Sequence, residues 1–174
     1  GSTTGDSGLN LDTYTASEQA LPLIFKVHLS NAAGRGMAIA PDGTFYIADI
    51  AQHSIWRLSP EGDLLSAWGE YGAGPGQFNE PWDVAVDPAG NVYVADTWNH
   101  RIQKFTAEGK FVLSWGRLGQ VQAYDPAGNS LFYGPRGIAV GPNGNVYVAD
   151  TGNHRVQVFS ADGVFLREFG SAGS

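Results

Sequence analysis

The sequence contains no cysteine and a single methionine. The first absence removes disulfides, thiolate chemistry and cysteine-held metal, and leaves the compartment open. Positive charge is scarce too: ten Lys and Arg stand against seventeen Asp and Glu, for a formal net charge of −7. Nonspecific grip on a phosphate backbone comes from clustered cations, so nucleic acid is not expected as a partner. No apolar run approaches the roughly 20 residues that a membrane helix needs, so direct membrane insertion is not expected. Plentiful instead are glycine, 24 residues, and proline, nine, scattered as punctuation rather than gathered in a tract. With 43% apolar residues over 174 positions, the chain can bury a core of ordinary size. The punctuation favours many short strands joined by tight turns. Gly1-Ser2 reads as an expression scar, and the natural protein is expected to extend on either side.

The stretch VYVADTWNHR at 92–101 returns as VYVADTGNHR at 146–155. Around it, segments 36–69, 83–116 and 137–170 align, with Asp49, Asp96 and Asp150 at matching places, 47 and 54 residues apart. Each segment reads as four short strands. A PDG, PAG or PNG turn follows the first, and PEG, AEG or ADG precedes the fourth. Four-stranded meanders at this period are the signature of β-propeller blades. In the second strand, Val92 and Val94 face one side while Tyr93 and Ala95 face the other. Both sides are apolar, so such a sheet must be covered on both faces, and neighbouring blades do that in a propeller.

The fold class expected is therefore all-β, a propeller with three four-stranded antiparallel blades per chain. Propellers usually have about four to eight blades, so three do not close alone. A second copy across a two-fold axis completes six, giving a homodimer; half of a longer single-chain propeller is the alternative. The boundaries expected are a flexible segment at 1–20, an extra strand and lead-in loop at 21–35, blade one with its connection at 36–82, blade two with a long loop at 83–136, and blade three with a tail at 137–174. Within 21–29, the alternation of Leu23, Phe25, Val27 and Leu29 reads as a strand. It either fastens a neighbouring blade or edges its own chain.

With ADTxNHRIQxF and DGxFLxxWG in view, the chain resembles the NHL-repeat family. Asn99, His100 and Arg101, and again Asn153, His154 and Arg155, occupy the motif that names it. The GPGQFNEP connection at 74–81 has the family's look as well, while blade one keeps Asp49 and His53 but loses the Asn and Arg. The resemblance implies propellers, often six-bladed, that mostly bind proteins, RNA or other ligands, with a few enzymes among them. It also makes an extracytoplasmic place within a larger bacterial envelope protein an expectation.

A residue set that recurs in every blade suits scaffold better than active site, because a site normally breaks the symmetry. The aspartates at strand ends can accept from backbone N–H groups of the following bend, and His and Arg can satisfy buried acceptors between blades. Asp49, His53, Asp96, Asn99, His100, Arg101, Asp150, Asn153, His154 and Arg155 are thus expected to be braces. The zinc-dependent lyase that resembles this fold implies histidines where this chain has Arg35, Trp82 and Arg136, none of which ligates zinc. Lactonase-like propellers imply converging channel carboxylates, for which only Glu80 and Asp83 offer themselves. No catalytic residue, metal or cofactor is expected.

Ligands are expected where the repeat breaks itself. Trp98 stands where the other blades have Ala51 and Gly152; Arg35, Trp82 and Arg136 ring the same mouth; Tyr124, Phe132 and Tyr133 come from the longer loop beside it. Trp82 and Trp98 would stack on a ligand and Arg35 and Arg136 would pair with its acidic group. The candidate binding set is thus Arg35, Trp82, Trp98, Tyr124, Tyr133 and Arg136, and the partner a protein, a peptide or an acidic glycan. Two bland readings stand beside this one: the tryptophans pack on the long loop, and the arginines pair with Asp83 or Glu80. A channel hydrolase or lyase, and a purely structural self-assembling half-propeller, are the other functions weighed.

Overall fold

A computed structural model describes residues 32–120 and 130–170. The segment expected at 1–20, the strand expected within 21–29 and Tyr124 lie outside the described residues.

Three four-stranded sheets follow one another along the chain. The first contains β1 (Gly34–Ile39), β2 (Phe45–Asp49), β3 (Ser54–Leu58) and β4 (Leu64–Trp68); the second contains β5 (Pro81–Val86), β6 (Val92–Asp96), β7 (Arg101–Phe105) and β8 (Phe111–Trp115). A two-residue parallel pair, β9 (Arg117–Leu118) and β10 (Leu131–Phe132), joins the second to the third. The third contains β11 (Pro135–Val140), β12 (Val146–Asp150), β13 (Arg155–Phe159) and β14 (Phe165–Phe169). Each of the three four-stranded sheets is an antiparallel meander in chain order, with matching registers. The innermost strand slips by one residue at the same place in each, between Gly34 and Gly36, Pro81 and Asp83, and Pro135 and Gly137.

The period-two pattern of the second strands explains how the sheets stack. Tyr46 and Ala48 of β2 pack with Val92 and Val94 of β6 in one core cluster. Tyr93 and Ala95 of β6 pack with Val146 and Val148 of β12 in the next. All five residues of β6 are consequently buried. Each tyrosine also spans to its neighbour: Tyr46 Oη donates to the Ala107 carbonyl at 3.1 Å, and Tyr93 Oη points to the Ala161 carbonyl at 3.5 Å. Phe78 and Phe132, from the connections, plug these seams and are completely buried. The sequence sets Phe132 beside the mouth; in the structure it belongs to the core, because β10 turns it inward, onto the ring of Phe159.

The outer strands interlock through a turn. Gly109 has φ +82° and lies so close to Trp68 that a Cβ there would come within 2.5 Å of the indole. Gly109→Val therefore meets both backbone strain and overpacking. It is expected to cost about 1–3 kcal/mol, read as a lower urea midpoint.

The stack stops short at both ends. Val84 is buried in the second blade, but its first-blade counterpart Met37 is 61% exposed, as is Ile39. At the other end, Ile55 and Ile102 are fully buried while their counterpart Val156 is only half-buried, and Phe169 is exposed where Trp68 and Trp115 are partly covered.

Candidate functional site

Two sets of side chains occupy the end of the blades where β6 and β12 finish, and they differ in kind. The first is the repeated polar set. Asp96, with no exposure, accepts from Asn79 N–H at 2.8 Å, Asn99 Nδ2 at 3.0 Å, Arg101 Nε at 2.7 Å and Gln103 Nε2 at 3.0 Å. Arg101 uses its other donors on the carbonyls of Ala73, Gly74 and Gln77, which fixes the GPGQ loop. Burial pushes the Asp96 carboxyl above its ordinary range, while Asn79 N–H, Arg101 and Asn99 pull it back. Asp150 repeats the arrangement with Tyr133 N–H, Asn153, Arg155 and Gln157. Here the backbone donors come from the segment leading into the first strand rather than from the following bend. Asp49 serves both, taking Ala33, Ala51 and Gln52 N–H on Oδ1. The counterparts of Arg101 and Gln103 in this blade are Ser54 and Trp56, which bond to each other at 2.9 Å.

The histidines work in the sense opposite to the one expected. His53, His100 and His154 all take left-handed backbone at φ +51°, +53° and +54°. From there His53 Nδ1 accepts from Glu80 N–H at 3.0 Å and His100 Nδ1 from Gly134 N–H at 3.1 Å. The imidazole is an acceptor for the next blade's backbone, so it must be unprotonated at that atom. Burial accordingly pushes His100 below its usual pKa, with Asp150 and Asp96 opposing. A histidine depressed in the fold supports the native state above its unfolded pKa, about 6.5, and that support is lost as pH falls through the lower folded value. The urea midpoint should thus decline as the solution is acidified below neutrality. His100→Asn, which keeps an acceptor and tolerates left-handed backbone, should flatten that decline.

The second set breaks the repeat. Arg35, Trp82 and Arg136 hold the same position in β1, β5 and β11. The Arg35 guanidinium lies 4.1 Å from the Trp82 ring centre and that of Arg136 lies 4.3 Å from it. They come from blades on opposite sides of Trp82, so they take its two faces. Arg136 also reaches to 5.8 Å from the Trp98 ring. Trp98 is 40% exposed and donates from Nε1 to Glu80 at 2.9 Å. Among the described residues neither arginine forms an ion pair. Asp83 is turned away from them, its Oδ1 accepting from Val84 N–H and its Oδ2 from Ile138 N–H, both at 2.9 Å. Burial raises the Asp83 carboxyl above its ordinary value despite those two donors. Trp82 Nε1 is buried and finds no acceptor among the described residues. Tyr133, 39% exposed, stacks on the His100 ring at 5.9 Å.

Gly152 against Trp98 now has a physical account. A Cβ at Gly152 would fall 2.1 Å from the Tyr133 ring and 2.3 Å from its carbonyl oxygen. Tyr133 fills the space in the third blade; in the second, the matching residue is Asn79 and the bend carries the indole instead. Gly152→Trp should destabilise the chain by about 1–3 kcal/mol, and adding Tyr133→Asn, which clears the ring but not the carbonyl, should recover part of the loss in thermal unfolding. Sequence alone concealed this exchange, because the two residues meet only when the connection folds back. The F-x-x-P pattern shared by QFNEP and LFYGP was the available signal for the aligned connections.

Among the described residues, no three His, Asp or Glu side chains gather as a metal-holding group. The NHL repeat family matches residues 78–105 and 132–159. A 42-residue stretch is 45% identical to Protein brain tumor of Drosophila melanogaster, covering 24% of this chain and 4% of that one. Among solved structures, virginiamycin B lyase from Staphylococcus aureus with quinupristin is similar at TM-score 0.63 and 16% identity, over 86% of this chain and 45% of the lyase. Nidogen in a nidogen/laminin complex is similar at TM-score 0.60 and 22% identity, over 83% of this chain and 52% of its own. At these identities the likeness concerns fold. The three sheets match propeller blades, and the chain spans about half the length of those propellers.

Proposed function

We propose that this NHL-repeat protein is a non-catalytic recognition module, which closes into a six-bladed ring with a second copy of itself and binds an acidic ligand at the Trp and Arg face. The observation that carries the binding reading is Trp82 held between Arg35 and Arg136, with no acid spent on either guanidinium among the described residues. Aromatic faces pre-order the two cations, and a carboxylate arriving at such a fork gains charge-assisted bonds without ordering them first. Trp98 extends the platform as an exposed anchor of the kind enriched in binding hot spots. A protein or peptide carrying acidic side chains fits this face, and nidogen, whose fold is similar, is solved in a complex with laminin.

Ring closure is supported by the ends of the stack. Each exposes the half of a contact that the chain completes twice within itself. A display library of acidic peptides, with an acidic glycan array beside it, tests the binding. Trp98→Ala with Arg136→Ala is expected to weaken the selected ligand by about 2 kcal/mol or more, the scale of a hot spot. Unchanged affinity in that double variant would remove the reading. Selection of glycans alone would change the ligand class.

A further inference from the structure

The strongest unassigned feature is a carboxylate position that the chain fills at its two inner seams and leaves open at the third. Val84 and Ile138 pair with Val94 and Val148 in matching registers, and the backbone N–H of each is met by Asp83, on Oδ1 and Oδ2 respectively. One carboxylate thus serves the inner strands of two blades. Met37 has the same register, paired with Ile47, so its N–H points the same way. Its own blade offers Gly36 where Asp83 stands, and the third blade, which precedes it across a closed ring, offers Gly137. Neither brings a carboxylate. A Cβ at Gly137 would press on Ala149 at 3.3 Å and meet nothing else among the described residues.

The same seam also gathers positive charge. Inside the chain, Trp82 separates Arg35 from Arg136 at 4.1 and 4.3 Å. Around a closed ring Arg136 is followed by the partner subunit's Arg35 at the next matching position, with no indole between them. Two guanidiniums at that spacing repel. We infer that each seam of the ring is a carboxylate-binding site, in which a bound acid takes the part of Asp83 beneath Arg136 and the partner's Arg35, and that occupancy tightens the dimer. This rests on the ring reading above.

Sedimentation equilibrium in sodium chloride, in sodium acetate at equal ionic strength and pH, and in chloride with a doubly blocked Ala-Asp-Ala tripeptide tests it. Acetate reports a small free acid, and the tripeptide a carboxylate borne on polypeptide. In at least one of the two, the dimer dissociation constant should fall roughly tenfold, as linkage to a ligand bound only by the dimer requires. Gly137→Asp supplies the group covalently; Asp83 beside Ala95 shows that the register accepts it. That variant should dimerise as tightly in chloride as the wild type does with the acid, and ignore the acid. Should it not fold, Arg136→Gln, at an exposed position, must by itself abolish the response. A wild-type dimer equally tight in all three solutions overturns the site and leaves the ring standing. An 18.5 kDa monomer in all three overturns both.

Discussion

Asp96→Ala is expected to lower folding free energy by about 3–5 kcal/mol, the scale for removing one partner of a buried ion pair. Against a total of roughly 5–15 kcal/mol for a domain, the variant should be largely unfolded in mild denaturant. The reason is the number of donors left behind. Asn79 N–H, Asn99 Nδ2, Arg101 Nε and Gln103 Nε2 all converge on that carboxylate, and each buried donor left unmet costs about 1–3 kcal/mol. Asp96→Asn should do little better, because its amide presents a donor to a ring of donors. Asp49→Asn is the informative contrast. Asp49 Oδ2 is buried without a partner among the described residues, and the Arg–Gln pair is replaced by Ser54 and Trp56. The same substitution there should be far milder in urea unfolding. Equal losses at the two positions would show that the carboxylate, rather than its partners, sets the penalty.

Met37→Asp should abolish the proposed ring closure while leaving the monomer folded. Met37 is 61% exposed in the single chain, whereas its counterpart Val84, with a blade on either side, is buried, so a charge at Met37 is solvated only in the monomer. In a ring it would be taken from water at both seams without a counter-ion, at several kcal/mol for each. Sedimentation should show a monomer at concentrations where the wild type is a dimer, with unaltered circular dichroism. A dimer unaffected by this charge would mean that the first-blade face is not part of any closure.

The elements legible in the sequence were those set by alternation. Tyr93 and Ala95 against Val92 and Val94 announce a strand buried on both faces, and Asp96 is placed at its end by the repeat alone. The positional equivalence of Arg35, Trp82 and Arg136 was equally readable, though their stacking was not, since it needs adjacent inner strands at side-chain distance. Less legible were features that depend on connections of unequal length. Phe132 lies in the longer of two loops, and nothing local says that β10 turns it into the core. The direction of the histidine bond was hidden for a different reason: it follows from left-handed backbone at His53 and His100, a conformation that their local sequence does not advertise.

The mismatch between the two ends carries a consequence for assembly beyond pairs. In the proposed ring the bare face of blade one meets the bare face of blade three, two unlike surfaces, so the contact would run head to tail. Such a contact closes as a pair only if the curvature carried by three blades amounts to half a circle; another whole fraction closes a larger ring, and any other angle grows into a helical fibre. Gly109 packs tightly against Trp68 of the preceding blade, so bulk inserted there presses on the spacing of successive sheets and, in the proposed ring, on the angle at which one molecule presents itself to the next.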